Sequence, residues 1–65
     1  MNKIQREGLK EAILSLAALK GTGTPVSMAR RYGISTRTIK RMVRELRREG
    51  HNIWYSIHRR TYVLD

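Results

Sequence analysis

The sequence has no cysteine, which excludes disulfides and thiolate metal sites. Histidine is confined to His51 and His58, and acidic residues number only five. A zinc site or a pair of catalytic carboxylates therefore has few donors to draw on. No nucleophile–base set stands out either, so no catalytic residue, metal or cofactor is expected, and an enzyme is the least favoured class. Long apolar runs are also missing. Residues 12–19 are apolar except for Ser15, well short of the ~18–20 residues of a membrane span. The N-terminus lacks the apolar core and cleavage site of a secretory signal. A membrane-surface peptide is disfavoured because its basic helix has no aromatic interface anchors. These absences lead to the expectation of a cytoplasmic protein with no membrane partner.

Positive charge is what the chain has in excess. Fourteen Lys and Arg against five acids give a net +9 in 65 residues, the size of one small domain spanning 1–65. Residues 1–26 carry four basic and two acidic groups, and residues 27–65 carry ten and three, so the partner-facing charge belongs to the C-terminal part. There is no internal repeat, low-complexity segment or linker.

The stretch between Gly33 and Gly50 organises the chain. Ser35 fits a helix N-cap and Gly50 the left-handed residue that ends a helix. Ile39, Met42, Val43 and Leu46 recur at the spacing of one buried stripe. The opposite arc holds Arg37, Lys40, Arg41, Arg44, Arg47 and Arg48 with no acid among them, while Glu45 and Glu49 lie to one side. Arg37/Arg41, Lys40/Arg44 and Arg44/Arg48 are like-charge pairs four apart, each costing about 0.2–0.5 kcal/mol. That repulsion makes sense if the face meets a polyanion; the plainer alternative is a basic solvated face.

Before this stretch, residues 3–20 read as a helix capped by Asn2 with Gln5 completing a capping box. Leu9, Ala12, Ile13, Leu16 and Leu19 form its core face. Leu14 and Ala18, with Ile4 nearby, point away as scattered surface residues or a small self-association patch. Gly21-Thr22-Gly23 reads as a flexible break. Thr24 then caps a short helix over 25–32 with Pro25 at its first position. Val26, Met28, Ala29 and Tyr32 are the inward candidates. One residue, Ile34, separates Gly33 from the Ser35 cap of the third helix, residues 36–49. That is the helix-turn-helix arrangement, in which the second helix of the pair enters the major groove.

After Gly50 the period changes to two. Residues 53–57 alternate Ile53/Tyr55/Ile57 against Trp54/Ser56, and residues 61–64 alternate more briefly. Two strands with a basic tip at His58-Arg59-Arg60 make a hairpin, which needs the helices for stability. The tip lacks Gly, Asn, Asp and Pro, so its turn type is open. Trp54 reads as a cover for the helix–hairpin joint, with a partner anchor as the sharper alternative. Tyr55 and Tyr62 belong to the core or its rim. The fold class expected is α+β, mainly helical: a winged helix-turn-helix of three helices and a two-stranded β-hairpin wing.

From Thr24 to Leu64 these residues resemble the DNA-binding domain of DeoR-type and WYL-type bacterial regulators. The likeness lies in Met28-Ala29, Gly33-Ile34-Ser35, Thr38-Ile39, Arg41, Val43, Leu46 and Gly50. It continues through a wing of Ile53, Tyr55, Arg59-Arg60, Tyr62 and Leu64. The resemblance implies that the 36–49 helix reads DNA and that the wing touches backbone or minor groove. Ser35 would then cap the helix and meet phosphate, and Arg41 would take the place of the family's arginine. Three departures stand out. Met42 occupies a position usually acidic in the family, the wing loop lacks the family's glycines, and these 65 residues contain no stretch that reads as the family's sensing or oligomerisation domain. Effector and regulatory direction therefore do not transfer.

Only the first two or three turns of a helix this long lie in one groove, which assigns Thr36, Arg37, Thr38, Lys40 and Arg41 to it and Arg44 to its border. Thr38 borders the core, so a structural hydroxyl and a DNA contact are both open. Arg47 and Arg48 are left for phosphates or solvent. Arg59 and Arg60 with His58 suit phosphates or an A·T minor groove, against the plainer reading of a tip kept basic for solubility. The function expected is a sequence-specific double-stranded DNA-binding protein, a small transcriptional regulator of a prokaryote, phage or other mobile element, pairing as a homodimer or multimer on DNA. The alternative is an architectural or recombination accessory protein with weak sequence preference; a winged helix used for protein or RNA contacts ranks third.

Overall fold

The computed structural model describes residues 2–65. Three helices, α1 (Lys3–Ala18), α2 (Pro25–Tyr32) and α3 (Thr36–Arg48), precede a two-stranded antiparallel sheet of β1 (Ile53–Ser56) and β2 (Thr61–Leu64). This is the expected α+β layout of a winged helix. α1 stops two residues short of Lys20, α3 one short of Glu49, and β1 one short of Ile57.

Side-chain oxygens start all three helices. Asn2 accepts from the Gln5 N–H at 2.8 Å while the Gln5 side chain accepts from the Asn2 N–H at 3.2 Å. Thr24 accepts from Ser27 at 3.0 Å and Ser35 from Thr38 at 3.1 Å. All three also end alike. A left-handed residue, Lys20, Gly33 or Gly50, turns the chain so that the next N–H reaches back to the last turn. Gly21 thereby bonds Leu16 at 2.8 Å, Ile34 bonds Ala29 at 3.0 Å, and His51 bonds Leu46 at 3.1 Å.

Ile39, Met42, Val43 and Leu46 are buried, as their spacing requires, and pack with Ile13, Ala17, Met28, Ala29, Ile53 and Tyr62. α3 thus lies with its apolar stripe on α1, α2 and β1 and its basic arc outward. Tyr55 meets Tyr62 edge-on, ring centroids 5.1 Å apart.

Several apolar side chains sit elsewhere than expected. Leu19 is 78% exposed, because the buried face of α1 is turned toward Lys10, Ile13 and Ala17 and Leu19 falls outside it. Leu14 packs against the core that it was expected to avoid. Val26 is exposed, since the inward line of α2 runs through Met28, Ala29 and Tyr32. Trp54 does not cover the helix–hairpin joint. It stands across from Val63 on the face of the hairpin opposite Tyr55, and its indole N–H donates to Asp65 at 3.1 Å.

The Gly21-Thr22-Gly23 segment is not a loose break. Thr22 is buried against the outer edge of β2, where its hydroxyl accepts from the Tyr62 N–H at 2.8 Å and its own N–H donates to the Thr61 hydroxyl at 3.0 Å. The two hydroxyls lie 2.9 Å apart, with the Gly23 and Tyr62 carbonyls as further acceptors. A single threonine thus does for β2 what a third strand would do.

Charges join α1 to α3. Arg6 pairs with Glu45 and Lys10 with Glu49, so the two helices run in the same sense along this contact. Lys10, only 3% exposed, also has Glu7 at 3.7 Å. These pairs occupy both glutamates that lie beside the basic arc.

Candidate nucleic-acid interface

The cap of α3 fixes how its first turn is presented. The Ser35 hydroxyl accepts from the Thr38 N–H and lies 2.8 Å from the Thr38 hydroxyl. One proton lies between these two oxygens, and the second hydroxyl proton has no acceptor among the described residues. The structural role weighed for Thr38 is therefore present. No acidic side chain occupies this first turn, so the positive end of the helix is unopposed.

Beyond the cap, Thr36, Arg37, Lys40, Arg41 and Arg44 come together around one open hollow of about 510 Å³. All four of its basic side chains are solvent-exposed. The apolar stripe behind them forces this presentation, because burying one face of a 13-residue helix leaves the other outward. Arg41 and Arg44 also border a second hollow of about 280 Å³, with Arg48, Glu45 and, from α1, Arg6.

The wing tip is a four-residue loop, Ile57 to Arg60, closed by the Ser56–Thr61 pair. Arg59 donates its backbone N–H to the Ser56 hydroxyl at 3.3 Å, and Arg60 takes a left-handed backbone. His58, Arg59 and Arg60 are exposed, as is Ile57 at 80%. Neither hollow on α3 includes these wing residues.

Arg47 is exposed, as expected, but is also tied to the fold. Its Nε donates to the Ile53 carbonyl at 2.7 Å, tying α3 to β1. Arg6 was missed altogether. Its sequence neighbours mark only a helix, and the Glu45 that places it lies 39 residues away.

The Arg6 guanidinium bonded to Glu45 holds that carboxyl below the usual range, and the Glu49 carboxylate bonded to Lys10 raises the lysine. Each shift favours the charged form of the group it acts on, the Glu45 carboxylate and the Lys10 ammonium. The basic side chains of the α3 arc, from Arg37 to Arg48, form no ion pair among the described residues, and neither do Arg59 and Arg60 of the wing.

Compared with protein-family models, curated proteins and solved structures, the chain matches none.

Proposed function

We infer that this protein binds double-stranded DNA with sequence preference, as a small transcriptional regulator of a prokaryote, a phage or another mobile element. One observation carries the reading: four exposed basic side chains, Arg37, Lys40, Arg41 and Arg44, converge on the outward face of α3 with no acid among them. Arginine's planar fork matches guanine O6 and N7 in the major groove, and a helix of this diameter fits that groove. The second hydroxyl proton of the Ser35–Thr38 pair and the exposed Arg59 and Arg60 suit phosphates on either side. The resemblance to DeoR-type and WYL-type domains points the same way. In this reading the protein is a DNA-binding module without catalysis, acting in the cytoplasm on the nucleoid.

Selection of binding sites from random duplexes tests it. The expected outcome is an enriched motif and an affinity that falls with salt as several phosphates are released. Arg41→Ala is expected to weaken the selected site by about 1–3 kcal/mol and random DNA by less. Binding without any enriched motif would remove the regulator and leave an architectural DNA-binding protein.

A further inference from the structure

We propose that the hollow between α1 and the second half of α3 is a phosphate site for one DNA strand, with Arg6 and Arg48 as its contacts and Glu45 as the residue that positions Arg6. The proposal rests on the DNA-binding reading above and adds a second element, α1, to the interface.

The hollow has about 280 Å³ and is lined by Arg6, Arg41, Arg44, Glu45 and Arg48. Four positive charges against one negative leave a net +3 at neutral pH. Glu45 does not spoil the site. Its carboxylate is engaged by one terminal nitrogen of Arg6, and a guanidinium has five N–H donors, so Arg6 keeps donors for an oxyanion. A surface arginine free to sample rotamers would lose entropy on meeting a phosphate, and one already anchored loses less. Arg48 needs no release, because among the described residues it forms no ion pair.

The placement also fits the length of the helix. With Arg37, Lys40 and Arg41 in the groove, later turns rise out of it toward the backbone. Arg41 and Arg44 border both hollows, so a chain of phosphates passing the C-terminal half of α3 lies beside Arg48 and against the N-terminal half of α1.

The test is the salt dependence of binding to the selected duplex and to a random one. Four variants are compared with wild type: Arg6→Gln, Arg48→Gln, Arg37→Gln as a groove control and Lys20→Gln as a charge control. Lys20 lies just past the far end of α1, roughly 20 Å along the helix from Arg6. Arg6→Gln and Arg48→Gln are each expected to lower affinity for both duplexes about five- to tenfold near 0.1 M salt, and to make the slope of log affinity against log salt shallower by about 0.9. Lys20→Gln is expected to stay within about twofold of wild type. Arg48→Gln leaves the Arg6–Glu45 pair untouched, so its loss cannot be laid to a weakened fold. If Arg6→Gln and Arg48→Gln both behave like Lys20→Gln while Arg37→Gln loses binding, the hollow is empty in the complex and only the groove reading stands. If wild-type protein binds no duplex, the DNA reading fails and takes this site with it.

Discussion

Arg60 holds a left-handed backbone, φ 52°, at the wing tip, where a glycine would be free of strain. An L-residue there costs roughly 1–2 kcal/mol against its ordinary conformation. Arg60→Gly is therefore expected to raise stability by up to about 1 kcal/mol in chemical unfolding, part of the relief being offset by the greater freedom of glycine in the unfolded chain. It should weaken duplex binding in the same preparation, because the charge is lost. Gly8 is the opposite case. It is an exposed helical residue, and an added Cβ would meet nothing within 4 Å. Gly8→Ala is expected to gain about 1 kcal/mol and leave binding unchanged. Single residues of this kind were legible in the sequence wherever a local rule governs them: the Asn2, Thr24 and Ser35 caps and the Gly33 and Gly50 stops need only near neighbours. Arg60 in a left-handed turn was not, since its tip has none of the residues that announce one.

At the scale of the helices, the ion pairs between α1 and α3 give stability a definite pH dependence. Glu45 titrates below its ordinary 4.5 in the folded state, chiefly through the hydrogen bond from Arg6. Its contribution is complete above the unfolded value and is lost as pH falls from there through the lowered folded value. Lys10 is raised above 10.5, chiefly by the hydrogen bond to Glu49. Its contribution is complete below 10.5 and is lost as pH rises through the raised folded value. Thermal unfolding followed across pH is expected to show both flanks, with Glu45→Gln removing part of the acid one. Lys10→Met, which fills the same buried position without charge, is expected to stay within about 1–2 kcal/mol of wild type, and Glu49→Ala to destabilise by leaving the ammonium only Glu7, 3.7 Å away. The amphipathic period made α3 legible as an element. α1 was read with its buried face misplaced toward Leu19, because Lys10 is a polar residue in a core position and only the distant Glu49 explains it.

For the whole molecule, the order of elements followed from the change of period after Gly50, but the way the hairpin joins the helices did not. The joint is made by Thr22 with Thr61 and Tyr62, about 40 residues apart, and by Arg47 with the Ile53 carbonyl. Thr22→Val keeps the shape and strands the Tyr62 N–H, so it is expected to cost about 1–3 kcal/mol and to unfold the wing and α1 together. Hydrogen exchange at Tyr62 reads this directly. The Cα trace measures 33 Å in its longest direction, close to one turn of duplex; under the proposed DNA-binding function one copy would cover a half-site, and the selected motif is expected to be an inverted or direct repeat.

Thr22 also bears on how quickly the protein could engage a partner. A hairpin of two four-residue strands would ordinarily fluctuate, and a surface made from it would have to be ordered on contact. Fastened along the outer edge of β2, the wing meets whatever it touches already shaped. Its encounters are then governed by diffusion and by the pull of its charge, with little waiting for the chain to fold.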